Sequence, residues 1–129
     1  MLLNLGHTFG HAMETIPSAS PGDNPDSAPL KHGEAVALGI VCAFAASESL
    51  GMIDHALTAR VTDMIRVSGL PVRVTGLPSD EELLARMRRD KKARGSALRL
   101  VLPDDEGSCV IVDDAPERAA RVGFGAIRA

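Results

Sequence analysis

The sequence predicts a mostly α, helical bundle-like domain with one small β-hairpin. Three observations carry this. Apolar residues recur at helical spacing through most of the 129 residues. Two short β-rich runs stand near the C-terminus with a turn between them. No strand, glycine turn and helix follow one another as a dinucleotide-binding unit requires.

The first helix spans residues 2–16. Leu2, Leu3, Leu5, Phe9, Ala12, Met13 and Ile16 supply its apolar faces, and Gly6 and Gly10 lower its intrinsic helicity. Pro17–Pro29 holds four prolines and three serines, which breaks the helix. A Pro/Ser-rich loop is therefore expected over 17–31. Lys31 to Leu50 is a long apolar helix that stops at Gly51. Asp54 is a good N-cap for a helix over 55–68, closed by Gly69 and Pro71. Ser79 with Glu82 has capping-box spacing and starts a helix that turns Leu83, Leu84 and Met87 inward and ends near Gly95. Leu98–Leu102 and Cys109–Val112 form the hairpin around a turn at Pro103–Gly107. Pro116 opens a last helix, which Gly123 and Gly125 are expected to interrupt.

Composition narrows the function. The net charge is −3, and the one dense basic run is Arg86–Arg94, which argues against a nucleic-acid partner. Trp and Tyr are absent, so no platform for stacking bases is expected. Cys42 and Cys109 belong to no paired metal motif, and Cys42 reads as a small core residue. The apolar run Ala35–Ala46 is too short to span a bilayer. No secretory leader is read at the N-terminus, and a cytoplasmic protein is expected.

Three of the four histidines fall in the first 32 residues. His7 and His11 stand four apart and share a helix face with Asn4. Gly6 and Gly10 precede the two histidines and clear room for a close helix, a bound molecule or a metal. His32 opens the long helix beside Glu34. Histidines at this spacing are more often surface or hydrogen-bonded residues than ligands, and His32 raises the weight of a site. Catalytic zinc takes three protein ligands and keeps one place open. His7 and His32 could give two. Glu14 lies two turns from His7, far for one ion, and Glu34 reads more simply as a partner that holds an imidazole tautomer. No convincing third ligand is supplied. His55 reads as a surface residue.

The segments Asn4-Leu-Gly-His-Thr-Phe-Gly-His-Ala-Met-Glu14 and Leu30-Lys-His-Gly-Glu-Ala-Val-Ala-Leu-Gly39 resemble the C-terminal domain of the 3-dehydroquinate synthase family. Gly69-Leu-Pro71, Asp90-Lys-Lys92 and Arg99-Leu-Val-Leu-Pro103 follow in the family's order, so the resemblance covers nearly the whole chain. It implies a C-terminal fragment of a two-domain enzyme of the shikimate pathway, with an NAD-binding domain upstream and zinc in the cleft between. The reaction implied is conversion of 3-deoxy-D-arabino-heptulosonate 7-phosphate to 3-dehydroquinate and phosphate, a carbon–oxygen lyase reaction.

By the same resemblance, His7 and His32 match the two zinc-binding histidines. His11 matches a catalytic histidine near the substrate phosphate, and Asn4 a substrate-binding asparagine. Lys91 or Lys92 matches a phosphate-binding lysine, where the bland alternative is a solvated helix end. The family's zinc-binding glutamate, an arginine for the substrate carboxylate and the whole NAD domain have no counterpart here. The isolated chain is therefore expected to be inactive. Its first helix is expected to expose apolar surface where the other domain would pack, a surface that could also join copies of the chain. A related sugar-phosphate cyclase or polyol dehydrogenase, and a non-catalytic helical binding or assembly module, are the alternative readings.

Overall fold

The computed structural model describes residues 5, 7–22, 25–90 and 98–129. Its elements are α1 (His7–Glu14), β1 (Ser20–Pro21), α2 (His32–Ser49), α3 (His55–Val67), β2 (Val74–Thr75), α4 (Asp80–Asp90), β3 (Leu98–Pro103), β4 (Cys109–Ala115) and α5 (Glu117–Ile127). The mostly helical architecture is as expected.

Helix α2 is the axis of the domain. From Ala35 to Ser47 it is buried almost all round, as a helix must be when neighbours cover every face. It packs against α1, α3, α5 and β3. Small residues set how near those neighbours come. A methyl group on Gly10 would lie 2.8 Å from the Ala35 carbonyl oxygen, so α1 and α2 touch backbone to backbone there. A methyl on Gly123 would lie 2.9 Å from the Cys42 carbonyl oxygen. That glycine is a packing residue, and α5 runs unbroken through Gly123 and Gly125, contrary to the expected interruption. The close approach that Gly123 permits outweighs its propensity cost of roughly 1 kcal/mol.

Phe9 of α1 and Phe124 of α5 are both fully buried and meet edge to face, with ring centroids 5.3 Å apart and planes at 77°. Such a pair adds about 0.5–1.5 kcal/mol to the area it buries. Leu83, Leu84 and Met87 turn inward from α4, as expected. Arg86 donates to the Thr15 hydroxyl at 2.9 Å and so ties α4 to the end of α1.

Asp54 caps α3 as expected, its carboxylate accepting from the Leu57 amide at 3.0 Å. Ser79 accepts from the Glu82 amide at 3.3 Å. The Glu82 carboxylate faces Arg86 at 3.3 Å, the neighbour one helical turn along. Strands β3 and β4 form the expected antiparallel hairpin, but β4 runs on to Ala115. The register shifts between Leu98 and Leu100, and Asp114 takes a φ of 58°, the signature of a bulge.

Within the 17–31 segment the described residues carry two short elements. Ser20–Pro21 pairs antiparallel with Val74–Thr75, and a short 3-10 turn covers Pro25–Ser27. This long-range pairing has no local signature in either two-residue run.

Among its described residues α1 shows no exposed apolar side chain, contrary to the expected apolar face; Leu2 and Leu3, which the sequence reading put in the same helix, lie outside the described residues. Phe9, Ala12 and Met13 of α1 are buried against α2 and α4, and His11 is exposed. Among the described residues, the most exposed large apolar side chains are Val67 and Met64 at the end of α3. No helix among the described residues is long and apolar enough to cross a membrane.

Candidate functional site

The contact between α1 and α2 at Gly10 brings the start of α2 beside the last turn of α1. A cleft of about 300 Å³ lies there, lined by Gly10, His11, Glu14, His32 and Val36. Gly10 and Val36 are its apolar lining, and the polar groups are two imidazoles and a carboxylate. His11 and Glu14 are three apart on α1 and share a face. His32 is the first residue of α2.

Glu14 and His32 meet directly, Oε2 to Nδ1 at 3.0 Å. The imidazole is well exposed, at 68%, and the carboxylate is half-buried. The sequence reading set Glu14 only against His7 and gave Glu34 the task of holding an imidazole; the second of these is corrected here, since the carboxylate beside His32 is that of Glu14. Glu34 instead accepts from the Lys31 amide at 2.8 Å. It caps the helix that His32 starts, satisfying an amide that would otherwise lack a partner. The Glu14 pairing depends on two helices 18 residues apart in sequence at this point, and no local spacing reveals it.

His7 is the first residue of α1, one turn before His11. Asn4, Lys91 and Lys92 lie outside the described residues; Lys91 and Lys92 directly follow the end of α4 at Asp90. His55, expected to be a surface residue, is exposed and pairs with Glu48 at 3.1 Å.

Imidazole and carboxylate are the donor types zinc takes, and an imidazole held at Nδ1 by a carboxylate is how metal-binding histidines are commonly oriented. The His32–Glu14 pair fits that pattern. Among the described residues, no three His, Cys, Asp or Glu side chains come together as a complete metal site. NAD finds no cradle among them either: both sheets are two-stranded antiparallel pairs, without the glycine turn that holds a pyrophosphate.

A second cavity of about 470 Å³ lies between the α2–α3 turn and Asp105, lined by Asp54, Leu57 and Arg60 among others. It contains none of the histidines near the N-terminus.

This helical arrangement is shared with larger synthases. A solved 2-epi-5-epi-valiolone synthase from Streptomyces hygroscopicus subsp. jinggangensis, with NAD+ and Zn2+ bound, matches 95% of this chain with a TM-score of 0.71 at 24% identity. The match covers 31% of that protein. Sequence is more specific. A "3-dehydroquinate synthase" of Xanthomonas campestris pv. campestris is 47% identical over 120 residues, 92% of this chain and 31% of the relative. One from Xylella fastidiosa is 44% identical over 122 residues, 94% of this chain and 32% of the relative. The profile of the 3-dehydroquinate synthase C-terminal family matches residues 1–93. The chain belongs to that family. It spans about a third of the length of the curated relatives it matches.

Proposed function

We propose that this chain is the helical domain of a 3-dehydroquinate synthase, working with an NAD-binding domain supplied by residues outside this sequence. The observation that carries the reading is the family match over residues 1–93, a span that contains Asn4, His7, His11, His32, Lys91 and Lys92. The reaction is conversion of 3-deoxy-D-arabino-heptulosonate 7-phosphate to 3-dehydroquinate with loss of phosphate.

In this reading His7 and His32 are two of the ligands of a zinc ion, and a third comes from outside the chain. Zinc there would act as a Lewis acid on a substrate alcohol and ketone. His11, exposed on α1 beside the cleft, offers an imidazole to the substrate phosphate. Lys91 or Lys92 binds the substrate phosphate as a compact positive charge, and Asn4 offers its amide to substrate hydroxyls.

A related cyclase is the second reading, favoured by the fold shared with the valiolone synthase. The curated relatives, at 44–47% identity against 24%, weigh toward the first.

The test is a chimera in which this chain replaces the matching third of the Xanthomonas relative. It is expected to release phosphate from 3-deoxy-D-arabino-heptulosonate 7-phosphate in the presence of NAD and zinc. His7→Ala and His32→Ala are expected to bring release to background. Alone, the chain is expected to hold zinc weakly and release nothing. A folded chimera that turns over a different sugar phosphate and ignores this one would overturn the reading. So would one that keeps full activity without both histidines.

A further inference from the structure

We infer that Glu14 is a positioning residue for His32: it holds the imidazole in its Nδ1–H form, so that Nε2 is the nitrogen offered to a metal. The inference rests on the proposed metal role of His32 and goes beyond it by naming the group that orients the ring.

Three observations support it. Glu14 Oε2 stands 3.0 Å from His32 Nδ1. An ionised carboxylate can only accept, so the proton of that bond belongs to the ring nitrogen. A neutral imidazole with Nδ1 protonated coordinates through Nε2. Second, both side chains line the same cleft, with His11 beside them. The pairing therefore acts on a group facing the proposed site. Third, the two helices that carry the pair are in backbone contact at Gly10, with Ala35 of α2 opposite. Arg86 holds Thr15, the residue after Glu14, at 2.9 Å. The carboxylate thus stands on an anchored turn.

The exposure of the pair separates orientation from stability. With His32 68% exposed and Glu14 32% exposed, the contact is screened by water and contributes little to folding. A purely structural contact would show itself in the melting temperature, and an orienting one in the ring.

The experiment uses the whole chain, first without metal, at mildly alkaline pH where imidazole is neutral. Long-range nitrogen–proton NMR correlations report which ring nitrogen of His32 carries the proton. The Nδ1–H form is expected to predominate in the unaltered chain. Glu14→Ala is expected to return His32 to the Nε2–H form that free histidine prefers, with an unchanged melting temperature. Glu14→Gln keeps an acceptor oxygen and is expected to retain Nδ1–H. Zinc affinity, read by competition with a chromogenic chelator, is expected to fall about 10–100-fold in Glu14→Ala and less in Glu14→Gln.

An Nε2–H tautomer in the unaltered chain overturns the inference whatever zinc does. So does a drop in zinc affinity equal in Glu14→Gln and Glu14→Ala with the tautomer unmoved, which would make Glu14 a ligand itself. If the chain shows the Nδ1–H form that Glu14→Ala abolishes, yet takes up no zinc, the positioning stands and the metal reading of the cleft fails.

Discussion

Cys42 and Cys109 differ in the access of water to sulfur, which governs what a thiol can do. Cys42 is fully buried in α2. Burial pushes its thiol far above the ordinary range, outweighing a backbone hydrogen bond and Arg128, which act the other way. The thiolate is the reactive form, so Cys42 is inert while the domain is folded. Cys109 is partly exposed at the start of β4. Alkylation followed by mass spectrometry is expected to label Cys109 in the folded protein and Cys42 only after unfolding; equal rates would contradict this. The core role of Cys42 was legible from its apolar neighbours in sequence. The partners of Glu14 and Glu34 were not. Each carboxylate has an ordinary local use, and which one meets His32 depends on where α1 ends relative to the start of α2.

At the scale of elements, the glycines divide by what lies opposite them. Gly10 faces the Ala35 carbonyl at 2.8 Å from where a Cβ would sit, and the neighbour is backbone that cannot swing aside. Gly10→Ala is expected to destabilise the domain by about 1–3 kcal/mol through overpacking. Gly125 has nothing within 4 Å and lies on the exposed side of α5. Gly125→Ala is expected to add about 0.5–1 kcal/mol by lowering the entropy cost of the helix. Urea titrations of both variants check the opposite signs. The ends of α2 and α3 were legible: the expected Lys31–Leu50 helix is His32–Ser49, and Asp54 caps α3 through Leu57 as its position implied. The first helix, expected over 2–16, is instead His7–Glu14, with Leu5 and Thr15 in turns. The β1–β2 pairing was illegible, because two residues in each strand leave no alternation to read.

Across the whole molecule, stability converges on the place where α1, α2 and α5 meet. Phe9 and Phe124 close the contact between the first and last helices, and Gly123 lets α5 approach α2 there. Phe124→Ala is expected to cost about 3–5 kcal/mol. For a domain of ordinary stability, roughly 5–15 kcal/mol, that removes a large share of the total. Thermal melting followed by circular dichroism checks it, and a loss below that range would mean the cavity collapses easily. The cleft depends on the same packing, since the α1–α2 contact at Gly10 sets the distance between Glu14 and His32.

The helical class, the hairpin, the ends of α2 and α3 and the family could be read before any contact was known. Those follow from periodicity, capping chemistry and motifs, all carried within short stretches of chain. Tertiary structure decided which carboxylate stands beside His32, that Gly123 is a packing residue, and that the apolar side of α1 faces inward. Each depends on how closely two elements distant in sequence approach, and that distance is set by packing volumes on both sides, which no single segment contains.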